Sequence, residues 1–229
     1  MEHSQQKIIE ETRKFFQKVY TWMFLGLILS GLTAFVVASN PMLYNIILSN
    51  KIIFFGLLLT ELILVFSLIG FLKRISASLA IFMFFLYCFM TGLTFSVIFL
   101  VYTMGSIGLV FFITAGMFGA MSVYGYFTKA DLTKIGQVLI MALFGLIIAS
   151  VVNLFMRNDT ADFVVSIIGV IIFTGLTAYD TQKIRKSNII GNEGTPEDTK
   201  ESIMGALHLY LDFVNLFLKL LRLLGKRKR

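Results

Sequence analysis

Cysteine is almost absent from this sequence. Cys88 stands alone inside an apolar run, so no disulfide can close within the chain, and Cys88 reads as a packing residue. Proline is nearly absent too, with 2 in 229 residues, and charged residues make up only 14%. Few prolines leave long helices unbroken, and so little charge cannot cover an ordinary soluble domain. Familiar catalytic and ligand signatures are also missing: there is no HExxH, Cys/His cluster, P-loop or GxSxG element. These absences exclude the common zinc hydrolases, zinc modules, P-loop ATPases and serine hydrolases. The chain does not read as an enzyme, and no cofactor is expected.

What is present is apolar. Hydrophobic residues make up 57% of the chain, with 24 phenylalanines. Seven apolar stretches fall at about 19–39, 52–72, 79–101, 105–127, 135–156, 163–184 and 203–225, and a helical span needs ~20 residues. They predict an all-α integral membrane protein, a seven transmembrane-helix bundle forming a single domain over 19–225. Ahead of it, Lys7, Arg13, Lys14 and Lys18 alternate with Ile8, Ile9, Phe15 and Phe16. That pattern predicts an interfacial helix over 1–18. The run over 19–39 is longer than a signal-peptide core, so it is expected to stay as the first span. Residues 185–202 form the one sizeable polar loop, and 226–229 a basic tail. Gly26, Gly31, Gly116, Gly119 and Ala120 are candidates for close helix contacts.

The net charge of +7 does not point to nucleic acid, because the basic residues sit in short loops and at the tail. Lys7, Arg13, Lys14, Lys18, Lys73, Arg74, Lys129, Lys134, Lys183, Arg185, Lys186 and Lys200 fall on one side of the expected bundle. Lys51 and Arg157 fall on the other. This bias predicts a cytoplasmic N-terminus. The tail conflicts with it: if the seventh stretch crosses, Lys226, Arg227, Lys228 and Arg229 lie outside. The alternative is a last segment that re-enters and returns.

That last stretch, GALHLYLDFVNLFLKLLRLLG over 205–225, organises the rest. His208, Asp212, Asn215, Lys219 and Arg222 recur at steps of four, three, four and three, which places all five on one helical face. A charged residue at mid-bilayer costs ~2.5 to 3.5 kcal/mol even on the mildest insertion scale. The stripe therefore predicts a central helix wrapped by the others. A helix lying on the membrane surface is the alternative, but the opposite face is nearly all Leu, Phe and Val.

Two other acids lie inside apolar runs, Glu61 and Asp180. Asp180 and Asp212 sit on helices joined by one loop, so they enter the membrane from the same side. Two enclosed carboxylates do not both ionise cheaply. They would share a proton, which pins the helices, and its loss would part them or recruit a hard cation such as Ca²⁺. The alternative is that each pairs with a base at the membrane edge, Lys183 or Arg185. Glu61 needs a partner, and Arg222 or Lys219 are the bases on the stripe. His208, one turn before Asp212, either tunes that carboxyl or caps the stripe.

The runs TAYDTQKI and ALHLYLDFVNLFLKLLRLLG, with TGLTFS in the third span, resemble the Bax inhibitor-1 family of transmembrane Bax-inhibitor-motif proteins. The seven stretches match it over nearly the whole chain, and the short N-terminus resembles bacterial members. The resemblance implies a last helix surrounded by six others and a pH-sensitive Ca²⁺ leak across the cytoplasmic (inner) membrane. It implies that Asp180 and Asp212 are the paired pH-sensing acids and possible Ca²⁺ contacts, with Glu61 and Arg222 near the pore. Arg74, beside Lys73, would match a family arginine at the end of the second span. The expected partners are thus Ca²⁺ as transported ion, protons and membrane lipid, with no nucleic acid. The competing class is a non-conducting regulator that binds another membrane protein, such as a membrane-anchored protease. Tyr179-Asp180 also resembles the Tyr-Asp of intramembrane aspartyl proteases. Their second acid lies in Gly-x-Gly-Asp, whereas Leu209-Tyr210-Leu211 precedes Asp212 here, and proteolysis is not expected.

Overall fold

The computed structural model describes residues 2–228 and consists of eight helices: α1 (Glu2–Ser39), α2 (Pro41–Ser49), α3 (Lys51–Phe71), α4 (Ala77–Val101), α5 (Met104–Phe127), α6 (Thr133–Met156), α7 (Asp159–Ser187) and α8 (Pro196–Leu224). Met1 of the expected interfacial segment and Arg229 of the expected tail lie outside the described residues. All but α2 are long and apolar enough to cross a membrane, so the chain is an all-α membrane protein of seven spans. No strand occurs among the described residues; a lone backbone bridge joins Tyr102 to Arg227. The last span is the most enclosed, with 67% of its most apolar window buried against 6% for α3 and for α6.

Three boundaries differ from the sequence reading. The 1–18 segment is helical, but it runs unbroken into the first span as α1. Residues 41–49 form an extra short helix. Asn40 caps it through Oδ1, which accepts from Met42 N at 3.0 Å, and Pro41 occupies its first turn, where a missing N–H costs nothing. Asn50 repeats the device for α3, accepting from Ile52 N at 2.9 Å. The polar loop shrinks to 188–195. At its end Thr195 Oγ1 accepts from Asp198 N at 3.2 Å, while Asp198 Oδ2 accepts from Gly194 N at 3.0 Å. This cap with Pro196 starts α8 well before the apolar run. The loop turns at Gly191 and Gly194, both at positive φ (92° and 82°), where glycine carries no Cβ penalty.

The chain forms two compact units. The first holds residues 1–101 and 188–210, the second residues 102–187 and 211–229. In the first, α1 packs on α4 through small residues. A Cβ on Gly92 would lie 2.6 Å from Thr33 Cβ and 2.8 Å from the Ser30 carbonyl; one on Gly26 would lie 2.8 Å from Cys88 Sγ. Lipid offers apolar side chains no hydrophobic gain, so such contacts rest on dispersion and hydrogen bonds. Ser30 Oγ supplies one set, donating or accepting among Gly26 O (3.0 Å), Cys88 O (2.7 Å) and Tyr210 Oη (2.6 Å). The Tyr210 ring meets Phe84 and Tyr87 edge-on. On the loop side Lys18 Nζ donates to the buried Asp198 at 2.5 Å, and Glu11 accepts from Gly191 N at 2.8 Å. Of the small residues singled out from sequence, Gly26 makes a close approach. Gly31, Gly116 and Gly119 face open space, with nothing within 4 Å of an added Cβ.

In the second unit α7 is the hub. A Cβ on Gly125 of α5 would overlap the Ala178 carbonyl, and one on Gly136 of α6 would overlap the Tyr179 ring. The second half of α8 is fixed by aromatic contacts with α5: Phe213 meets Phe118 and Phe111 at 5.4 and 5.5 Å, and Phe217 meets Phe111 at 6.4 Å.

Candidate functional site

Asp180 and Asp212 both belong to the second unit, and their carboxyls come within interaction reach of each other. Asp212 is buried, at 4% exposure, while Asp180 is half-buried. Asp212 Oδ2 is enclosed and accepts no hydrogen bond from the described protein groups. The extension of α7 to Ser187 sets Asp180 about two turns inside its helix rather than one. Thr177, one turn earlier, donates back to Phe173 O at 2.8 Å, and Thr181 to Thr177 O at 2.7 Å.

The bases at the membrane edge serve other groups. Arg185 donates to the carbonyls of Tyr126 and Thr128 at the end of α5, while Lys183 lies over the Tyr179 ring, 6.0 Å from its centroid. Gln182, which the sequence reading passed over, accepts from Leu132 N at 2.9 Å and donates to Ala130 O at 2.8 Å. Lys186 donates to Asp131 at 2.8 Å. This bond, with help from Thr133, holds the Asp131 carboxyl down at about 2. The α5–α6 turn and the end of α5 are therefore tied to the end of α7 by three polar side chains, Gln182, Arg185 and Lys186, just beyond Asp180.

The rest of the stripe divides by burial. Asn215 spends its donor on Leu211 O at 2.8 Å within its own helix. Lys219 is half-buried and lays its stem across α7, where a Cβ on Gly169 would fall 2.9 Å from Lys219 Cγ. Arg222 is half exposed and pairs with Asp162 in the first turn of α7. Lys219 lies within electrostatic range of both members of that pair. His208 is half-buried in the part of α8 that belongs to the first unit.

Glu61 and Arg222, the expected pair, belong to different units, and each has a partner within its own. Arg222 takes Asp162, a carboxylate offered at the start of the adjoining helix. Glu61, in the first unit, is half-buried and accepts from Thr94 Oγ1 at 2.9 Å, a hydroxyl that also lies 2.9 Å from Thr91 O. Among the described residues Glu61 joins no ion pair. Arg74 is exposed. No group of three or more His, Cys, Asp or Glu gathers as a metal site among the described residues.

α8 is one unbroken helix over Pro196–Leu224, and within the second unit its later half runs beside α7 from Asp180 to Asp162 without turning back. Beyond it, Lys226 O accepts from Thr103 N at 3.0 Å and Lys226 N donates to Ser106 Oγ at 2.7 Å, fastening the tail to the start of α5.

The family model described as inhibitor of apoptosis-promoting Bax1 matches residues 12–229. An uncharacterized protein of Borreliella burgdorferi is 47% identical over 215 residues, covering 94% of this chain and 93% of that one. The inner membrane protein YbhL of Escherichia coli (strain K12) is 46% identical over 212 residues, covering 92% and 91%. A Deinococcus radiodurans protein is 40% identical over 224 residues, covering 98% and 95%. The chain belongs to the Bax inhibitor-1 family.

Proposed function

We propose that this chain is a pH-sensitive calcium leak channel of the inner membrane, with a cytoplasmic N-terminus, gated by a proton shared between Asp180 and Asp212. The observation that carries the reading is the meeting of these two carboxyls, one of them buried with an oxygen that accepts no hydrogen bond. With one proton between them, the pair is a short, strong link from α7 to α8. Without it, two unit charges about 4 Å apart at an effective dielectric near 20 repel by about 4 kcal/mol. That is enough to shift a two-state helix contact by roughly a thousandfold. The exposed anions then offer hard oxygen ligands to Ca²⁺. Ca²⁺ is cargo in this reading, and no catalysis is assigned. The inner-membrane assignment is supported by the Escherichia coli relative, an inner membrane protein, and the orientation by the lysine and arginine bias.

The test is Ca²⁺ flux through the purified protein in liposomes. Flux should be slow in acid and rise with pH. Flux equal to that of empty liposomes at every pH would overturn the channel reading in favour of the non-conducting regulator that binds another membrane protein.

A further inference from the structure

The end of α8 carries a charge pattern that the channel reading does not use. Gly225 closes the helix with its N–H on Leu221 O at 2.8 Å, and a Cβ there would lie 2.7 Å from the Tyr102 ring. The next residues are bound through their backbone to Thr103, Ser106 and Tyr102. The tail is thus fastened down, and its side chains project from defined positions. Lys226 and Arg227 are exposed and join no ion pair among the described residues. The nearby carboxylate of Asp162 is already held by Arg222. Leu224 and Met104, adjoining the clasped residues in sequence, are exposed apolar side chains, and Leu109 and Phe112 farther along α5 are exposed as well. Cations fixed at the edge of a lipid-facing apolar surface stand at headgroup depth.

We infer that the 225–228 segment, clasped to the start of α5, is a binding surface for the phosphate groups of anionic phospholipids on the membrane face where α8 ends. The phosphate chemistry would also suit soluble phosphate. The adjoining exposed apolar side chains favour a lipid, whose acyl chains would lie against them. Phosphate is matched by the lysine point charge and by the forked arginine donors. The clasp uses backbone groups, so removing the side-chain charges leaves it intact.

The experiment uses the full chain in nanodiscs with a trace of photoactivatable phosphatidylglycerol or phosphatidylcholine, and maps the labelled peptides by mass spectrometry. Phosphatidylglycerol should label the peptides spanning 102–106 and 222–228 several-fold more than phosphatidylcholine does. The variant K226Q/R227Q should lose that several-fold preference, each cation being worth at most about fivefold near an anionic surface. Labelling elsewhere on the protein serves as the internal reference and should not change. Equal labelling by the two lipids, or a preference unchanged in the variant, overturns the proposal. Loss of labelling in tens of millimolar inorganic phosphate at constant ionic strength would overturn the lipid assignment and make this a soluble-phosphate site.

Discussion

Asp212→Asn separates the proton from the contact it makes. Asparagine is nearly isosteric with aspartic acid and fits the buried position. Its Nδ2–H₂ can donate to Asp180 permanently, so the α7–α8 link persists without a shared proton. Calcium flux through this variant should stay at the wild-type acid level across the pH range. On the proposed gating, loss of the shared proton in the wild type leaves two anions, so its flux should rise with pH. Control by one shared proton limits the slope to about tenfold per pH unit, since one unit is worth about 1.36 kcal/mol. A slope near a hundredfold would mean that two protons leave in one step. The assay is dye-reported Ca²⁺ entry into liposomes, with helix content and protein incorporation matched between variants. A variant that retains the wild-type slope would refute the shared proton as the gate.

The Arg222–Asp162 pair is half exposed on the arginine and 17% exposed on the carboxylate, so a double-mutant cycle of Arg222→Gln and Asp162→Asn should show a coupling of about 1 kcal/mol in unfolding by denaturant. A coupling indistinguishable from zero would mean the pair holds nothing. Gly92→Ala should destabilise the chain by about 1 to 3 kcal/mol through overpacking against Thr33 and Ser30. Gly31→Ala should be tolerated, and equal effects of the two would refute the packing argument. Asp131 should titrate near 2 by carboxyl NMR and move toward 3.8 in Lys186→Met. Because that carboxyl is depressed by folding, whatever stability the pair contributes is complete at neutral pH and is lost as pH falls from about 4 to 2.

The spans were legible because their apolar runs exceed twenty residues, and the helix-facing stripe was legible from its steps of three and four. Asp180 and Asp212 could be paired because one loop joins their helices. The start of α8 was not legible from hydropathy, since 196–202 is polar, yet Thr195-Pro196 with Asp198 three residues beyond the threonine is a start signal that composition overrides. Asp162 was missed as the partner of Arg222, although it lies eighteen residues before Asp180 and five helical turns return it to the same face. Glu61 drew attention as an unpaired acid, while its partner Thr94 is an ordinary hydroxyl with no charge to mark it. The close glycines were misjudged for a similar reason. Gly92, Gly125 and Gly136 face backbone or rings of another helix, and single-helix spacing does not reveal what stands opposite.

The two ends of the α7–α8 contact are held by different chemistry, and this bears on how the proposed gate could move. On the proposed gating, the link near Asp212 depends on a proton and so on pH. Near Arg222 the helix is held by the pair with Asp162 and by backbone hydrogen bonds that fasten the tail to α5. On that reading, loss of the proton would release one end of this half of α8 while the other stays attached. Asp180 itself is not free to follow, because Gln182, Arg185 and Lys186 tie its helix to the α5–α6 turn. On the proposed gating, the moving part is the Asp212 side of α8, and the pivot is the Arg222–Asp162 pair. Cutting the pivot with Asp162→Asn should then raise flux in acid, where the proton alone holds the helices, and flatten the pH profile from the opposite side to Asp212→Asn.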